Sequence, residues 1–275
     1  RASVTLRHWP GGASPAGTLD GLAVASMSLG AEVIASIERA TLQAVAPQQI
    51  EARQDWLLPM DHGTVGRAHS AVPLHHGVHD PALVSEIAQR YRDAGFRPVL
   101  RLPDVPTFEA WWPELAAQGF HREQPTLTQT GPLDGLLALS PHADGVSLDQ
   151  HPDAAWMAMF LGEGLDPVDG ASRSQALSRA KHTLFASLRV DGETLACGAA
   201  CFAQGWLSMH GLRTAASQRG RGLAGRLIRA MALEARRRGI ERAFLQVDGA
   251  NSPALALYRR AGMVTAWAYA YWRTG

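Results

Sequence analysis

The sequence predicts an α/β chain of the α+β kind: two similar units in tandem, each a central mixed, mostly antiparallel twisted sheet flanked by helices. Three observations carry this. Segments with apolar residues at three- and four-residue spacing alternate with strand-like runs. The runs His182–Val190 and Thr194–Phe202 are joined by Asp191-Gly192, a strong hairpin signal. And the order strand, helix, strand, helix, glycine, strand occurs twice. Trp56-Leu57 corresponds to Trp206-Leu207, the helix closing at Gly95 to the one closing at Gly239, and Gly119-Phe120 to Gly262-Met263. The expected divisions are a loose Gly/Ala/Ser/Pro-rich tail over 1–28, a first unit over 29–133 and a second over 134–275.

In the first unit, Ile34, Ile37, Thr41, Leu42 and Val45 mark a helix that Pro47 ends. Residues 56–60 read as a strand, 61–64 as a turn and 65–74 as an extended stretch. Asp80-Pro81 opens a helix with an acidic cap and proline at its first position. A strand over 96–102, a helix over 107–117 and a strand over 126–130 follow. In the second unit, residues 152–161 and 174–180 read as helices flanking a Gly/Asp-rich loop, Gly162–Gly170. After the hairpin comes a strand over 206–214, then a helix from Arg221 to Arg238 with Arg236, Arg237 and Arg238 at its C-terminal end, where the helix dipole favours cations. A strand over 243–247, a helix capped by Ser252 and a final strand over 263–272 complete the chain.

The chain has 275 residues, 46% of them hydrophobic and 19% charged, with a formal net charge of +1. That is a globular composition with material for a real core. The balance does not point to nucleic acid or a membrane surface, and no apolar run approaches the ~18 residues of a membrane span. Cys197 and Cys201, on one strand, would stand roughly 13 Å apart, too far for a disulfide. They read as reduced core residues, and the chain as cytoplasmic. His69, His75, His76 and His79 lack ligand spacing tied to a defined helix or strand, so no metal is expected.

The segment that carries chemistry is Gln218-Arg-Gly-Arg-Gly-Leu-Ala-Gly225, between a strand and a long helix. A glycine-rich turn into a helix N-terminus presents free backbone N–H groups at the positive end of the dipole, an anion site. No Gly-Lys-Ser/Thr follows, so it is not a Walker loop, and the preceding strands look antiparallel, which argues against a dinucleotide fold.

Arg219-x-x-Gly222-x-Ala224, followed by helix, strand and Asn251-Ser-Pro-Ala-Leu-Ala-Leu-Tyr258-Arg-Arg-Ala-Gly262-Met, resembles the GCN5-related N-acetyltransferase (GNAT) superfamily. The first piece is similar to that family's acyl-CoA loop. The second is similar to its Asn-x-x-Ala-x-x-x-Tyr-x-x-x-Gly-Phe segment, with Met263 in place of Phe. The close match covers about Trp206 to Tyr271, and the strands before it extend it to about Leu136. The resemblance implies acetyl-CoA as cosubstrate. Its pyrophosphate would lie on backbone N–H groups of Arg219, Gly220, Arg221, Gly222, Leu223, Ala224 and Gly225. Its pantetheine would pair with the backbone of Leu212, Arg213 and Thr214, with Asn251 beside it. Tyr258 would protonate the departing thiolate, and a backbone N–H near Leu212 or Arg213 would polarise the carbonyl. Glu163, His210 and Asp248 are the candidate bases.

The implied function is transfer of an acetyl group to a primary amine of a small molecule or peptide by direct attack. The alternative is a non-enzymatic acyl-CoA-binding sensor or scaffold. No nucleic-acid or membrane partner is expected, and the chain would be a monomer or homodimer. The first unit resembles a degenerate copy, as in tandem GNAT proteins. It carries His75-His-Gly-Val-His-Asp80 at the loop position and no tyrosine near 114–115. It is expected to bind no coenzyme, and to buttress the sheet or wall off one side of the acceptor site.

Overall fold

The computed structural model describes residues 29–162 and 165–274. The expected tail over 1–28 and the candidate base Glu163 lie outside the described residues. In chain order the first unit contributes α1 (Ala31–Val45), β1 (Gln49–Arg53), β2 (Trp56–Met60), β3 (Val72–Pro73), α2 (Leu83–Asp93), β4 (Val99–Pro103), α3 (Pro106–Glu109), α4 (Trp112–Ala117) and β5 (Phe120–Pro132). The second contributes α5 (Leu133–Leu137), β6 (Val146–Asp149), α6 (Ala154–Ala158), α7 (Pro167–Ser178), β7 (Thr183–Val190), β8 (Glu193–Ala203), β9 (Trp206–Thr214), α8 (Leu223–Arg237), β10 (Arg242–Asp248), α9 (Ser252–Arg260) and β11 (Val264–Thr274).

The strands form a small sheet, β1-β2-β3, and an eight-stranded sheet in the order β4-β11-β5-β10-β9-β8-β7-β6. The large sheet is mixed: β9 and β10 are parallel and its other neighbours antiparallel. Each unit's last strand lies between strands of the other. β5 pairs with β10 from Arg242↔Pro132 to Asp248↔Thr126 and with β11 from Val264↔Thr130 to Thr274↔Phe120. β11 in turn pairs with β4, from Tyr269↔Pro103 to Arg273↔Val99. The ladder is thus continuous across residue 133. The small sheet joins its edge: Ala71 N–H donates to Val99 O at 2.9 Å and Arg101 N–H to Ala71 O at 2.8 Å.

One face of the large sheet is covered by α8, whose Leu227, Ile228 and Met231 pack with Leu207, Met209, Leu245, Tyr258 and Met263. On the other face α1 sets Ile34, Ile37, Ala40 and Ala44 against Trp206, Phe244, Trp267, Tyr269 and Tyr271. Beside it, α6 and α7 bring Trp156, Phe160 and Leu177 onto Phe185, Cys197 and Ala199. Cys197 and Cys201 are both buried free thiols on β8.

Several boundaries differ from the sequence reading, each for a local reason. The 107–117 helix is two short ones. Pro113 stands in the first turn of α4, where it has no N–H to continue a ladder from α3. β5 runs over 13 residues; its stretch 121–125 is exposed and polar, so no apolar alternation marks it. The expected loop Gly162–Gly170 is in its second part the first turn of α7. Asp166 caps that helix through Val168 and Asp169 N–H groups, both at 2.8 Å. Gly170 sits inside α7 because a Cβ there would collide with the Phe160 carbonyl. The cap of α9 is Asn251, whose Oδ1 accepts from Ala254 N–H at 3.2 Å, so Ser252 is already helical.

Sequence patterning did not expose the buried ion pair between α1 and β4. Arg101 donates to Glu38 at 3.1 and 2.5 Å, with both side chains 2% exposed or less, and its guanidinium lies 5.0 Å from the Tyr269 ring centroid. Removing one member leaves a buried, unpaired charge. Arg101→Met should therefore cost about 3–5 kcal/mol of unfolding free energy, read by urea denaturation. A loss below about 1 kcal/mol would mean the pair is not held as described.

Candidate active site

β9 and β10 begin as parallel neighbours, Leu207↔Ala243 and Ser208↔Phe244, and then part. Beyond Ser208, β9 has no β10 partner among the described residues. On its other side the register with β8 shifts: Ala199 pairs with His210 and Cys197 with Arg213, so Gly211 and Leu212 together oppose Gly198. This is a β-bulge, and Gly211 makes it with φ +60°. The bulge aims His210 and Arg213 at the α6/α7 face, where the Arg213 guanidinium lies 5.2 Å from the Phe160 ring centroid. Leu212 goes to the α8 face. The backbone of Leu212, Arg213 and Thr214 thus borders the wedge between the parted strands.

β9 leads through a short 3₁₀ turn, residues 216–218, to α8. Gly220 and Gly222 both have φ +76°, and Gly222 is the uncapped N-cap residue of α8. The first helical bond is Arg226 N–H to Gly222 O. The N–H groups from Gly220 to Gly225 have no protein acceptor among the described residues. That of Arg219 is turned to Ala216 O, at 3.5 Å. A Cβ on Gly220 or Gly222 would have nothing within 4 Å; these glycines serve backbone conformation and open access. Gly225 differs: a Cβ there would stand 2.9 Å from Leu139 O, so it also lets α8 close on the chain after α5.

Tyr258, on the inner face of α9, is 8% exposed. Its hydroxyl takes part in no hydrogen bond among the described residues, and burial pushes its pKa up to about 12, so it holds its proton at neutral pH. Asn251 uses Oδ1 for the helix cap, and its amide nitrogen has no hydrogen-bond partner among the described residues. His210 is buried, and its Nε2 lies 2.9 Å from Ser208 Oγ. Burial, and then the charge of Arg67, lower its pKa to about 3, so the ring is neutral. Asp248 is exposed, and its carboxylate accepts from Ala250 N–H at 2.8 Å.

The first unit reaches this site by contacts that sequence reasoning missed. Thr64 donates its hydroxyl to Asp169 at 2.6 Å and its N–H to Ser172 Oγ at 2.8 Å. Arg179 donates to Asp61 at 2.8 Å. These bonds tie residues 61–64 to α7, the helix that follows the expected acceptor loop. At the first unit's loop position the rings of His75 and His79 stack at 4.1 Å, and Trp56 Nε1 lies 3.3 Å from His79 Nδ1. Among the described residues no group of three or more His, Cys, Asp or Glu is placed to hold a metal ion, and no helix is long and apolar enough to cross a membrane.

The parted strand pair, the uncapped glycine-bearing start of α8 and the buried Tyr258 on α9 are set on one mixed sheet flanked by helices. Solved structures show the same fold. A GCN5-related N-acetyltransferase from Kribbella flavida superposes with TM-score 0.63 at 19% identity, over 88% of this chain and 95% of that one. A tandem GNAT protein from the clavulanic acid biosynthesis pathway gives 0.56 at 14% identity, over 89% and 96%. Residues 31–272 match the family described as "Probable histone acetyltransferase Rv0428c C-terminal", and the chain belongs to that family. A streptothricin acetyltransferase from Streptomyces lavendulae is 35% identical over 124 residues, 43% of this chain and 63% of that protein.

His76, half-buried at the first unit's loop position, makes stability depend on pH. His76 stands edge-on to Trp267 with centroids 5.0 Å apart. Burial first, then the charges of His75, His79 and Arg101, lower its pKa from 6.5 to about 4. Between those values the unfolded chain binds more protons than the folded one. Stability should therefore be full above pH 6.5 and fall as pH drops through this window. His76→Gln should flatten that fall in urea titrations at about pH 7 and about pH 5; an unchanged slope would show that His76 does not contribute.

Proposed function

We propose that the chain is an N-acetyltransferase that moves the acetyl group of acetyl-CoA to a primary amine of a small molecule or peptide by direct attack. The observation that carries this reading is the wedge between β9 and β10 leading to six consecutive free N–H groups, Gly220 to Gly225, at the N-terminus of α8. An extended pantetheine arm fits the first feature and a pyrophosphate the second. The family described as a histone acetyltransferase and the streptothricin acetyltransferase relative support the acyl-transfer reading.

Acetyl-CoA supplies an acyl group activated as a thioester. The backbone of Leu212, Arg213 and Thr214 would hold the pantetheine arm, with Asn251 against it. Gly220 to Gly225 would hold the pyrophosphate, Arg219 lending its side chain at the margin. A backbone N–H at the bulge, from Leu212 or Arg213, would stabilise the carbonyl oxygen as charge develops there. Tyr258 would give its proton to the sulfur. The attacking amine must lose a proton, for which Glu163 and His210 are the side chains proposed. His210 is unprotonated at neutral pH but weakly basic, which shifts the task towards Glu163. The first unit, without the spaced glycines, would hold α7 in place and bind no coenzyme.

Tyr258→Phe should lower turnover by roughly 10²- to 10⁴-fold with little change in acetyl-CoA affinity, measured by thiol release and calorimetry. Unchanged turnover would remove the acid role. Gly222→Val forces a β-branched residue to positive φ at the loop, so acetyl-CoA binding should be lost while the circular dichroism spectrum is kept. Retained affinity would sink the loop assignment.

A further inference from the structure

Away from the coenzyme wedge, the two units enclose a groove of about 500 Å³. It lies where α1 runs out into β1 and α7 into β7. Thr183 opens β7 level with Cys201 and Ser208, near the start of β9, whereas Leu212, Arg213 and Thr214 lie at the far end of β9. The first unit lines the groove with Leu42, Ala46, Pro47 and Ile50, and Ile50 is 46% exposed. The second lines it with Arg179, Lys181 and His182. The other lining residues are glutamines, and none is acidic.

The groove is braced from both sides. Arg179 donates to the Ala46 carbonyl at 3.3 and 3.1 Å and to Asp61 at 2.8 Å, and Asp61 accepts from Gln48 N–H at 3.1 Å. Ala46 and His182 are both non-glycine residues in left-handed conformation, with φ 41° and 58°. Ala46 is fixed by its N–H on Leu42 O, and His182 by its carbonyl, which accepts from Phe202 N–H, each at 2.9 Å. Strained residues persist where their surroundings over-determine them, and they gather at ligand clamps. The carboxylates close by in sequence are committed, Asp61 to Arg179 and Glu51 to Arg90 at 2.7 Å. Apolar surface thus stands beside cationic side chains, with no carboxylate among the lining residues.

We infer that this groove binds a small amphiphilic anion, a carboxylate carried on an apolar chain or ring. The apolar body covers Leu42 and Ile50 and takes their surface out of water. The carboxylate receives charge-assisted hydrogen bonds from Lys181 and Arg179. The volume is that of a small-molecule site. The groove shares no residue with the coenzyme wedge, so it stands apart from the acetyl-transfer reading above.

The probe is sodium octanoate, titrated by calorimetry into the full chain in excess coenzyme A, which keeps the coenzyme wedge from competing. Octanol and octyltrimethylammonium are the neutral and cationic controls. Octanoate should bind about tenfold more tightly than either, or better. Lys181→Glu should weaken it by about tenfold or more, and Ile50→Ser by about threefold or more. Lys181→Arg should keep most of the affinity, and all three variants should keep the melting temperature. Lys181 is the only lysine of the chain, so isotopic dimethylation gives it one side-chain NMR signal, which should shift as octanoate binds. Equal binding of the three probes, octanoate binding that Lys181→Glu and Ile50→Ser leave intact, or no octanoate binding overturns the inference. So does octanoate binding gained only on removal of residues 1–28, since the groove would then belong to the chain's own N-terminal segment.

Discussion

The antiparallel pairing of β5 with β11 is the contact on which the other features depend. Without it the two units are a helix-covered hairpin region and a five-strand sheet, β6 to β10, with an open edge. With it, the last strand of each unit is buried between strands of the other, and one ladder of eight strands results. Exposed ladder edges are a liability in any sheet. Here the exchange covers β10 with β5, and the Ala71–Leu100 bridge carries the ladder on beyond β4 to the small sheet. The consequence for chemistry is positional. α1 and the segment 61–64 are brought onto the sheet face where His210 and Arg213 project.

The two units differ at the turn that follows the corresponding strand. After β9 come glycines in left-handed conformation and an uncapped helix start. After β3, at the corresponding place, come His75 and His79 stacked on each other, with His79 edge-on to Trp56. Side chains fill the space in the first unit that glycines leave open in the second. The first unit meets α7 and its C-terminal end through its loops, by Thr64 on Asp169 and Asp61 on Arg179. The buried Glu38–Arg101 pair fixes α1 to β4 on that face.

What the sequence made legible followed from local rules. The Asp191-Gly192 turn joins β7 to β8 with both residues at positive φ, as the dipeptide signals. The glycine-spaced turn, Tyr258 and the helices α1 and α8 lie where periodicity and motif put them, whereas α2 begins only at Leu83, because Asp80 closes a turn on Ala82 N–H before the helix instead of capping it. Polar and long-range features were not legible. The exposed stretch of β5 has no alternation to read, and the exchange of β5 and β11 is a choice of neighbour that no local pattern encodes. The Glu38–Arg101 pair has no motif around it; it forms between α1 and β4, far apart in sequence. The early start of α7 was readable in principle from Asp166-Pro167, a cap followed by proline, but Gly170 and a weak apolar face masked it.

The central claim is that acetyl-CoA binds to a sheet that both units must build, and it can be tested by dividing the chain at residue 133. Residues 134–275 alone lack β5, so β10 and β11 would have no strand between them. The measurement is calorimetric acetyl-CoA binding by residues 134–275 alone and by the same fragment co-expressed with residues 29–133. The account predicts no binding and no cooperative thermal transition for the fragment alone, and recovery of both in the co-expressed pair. A folded, monomeric 134–275 fragment that binds acetyl-CoA as tightly as the full chain would contradict it.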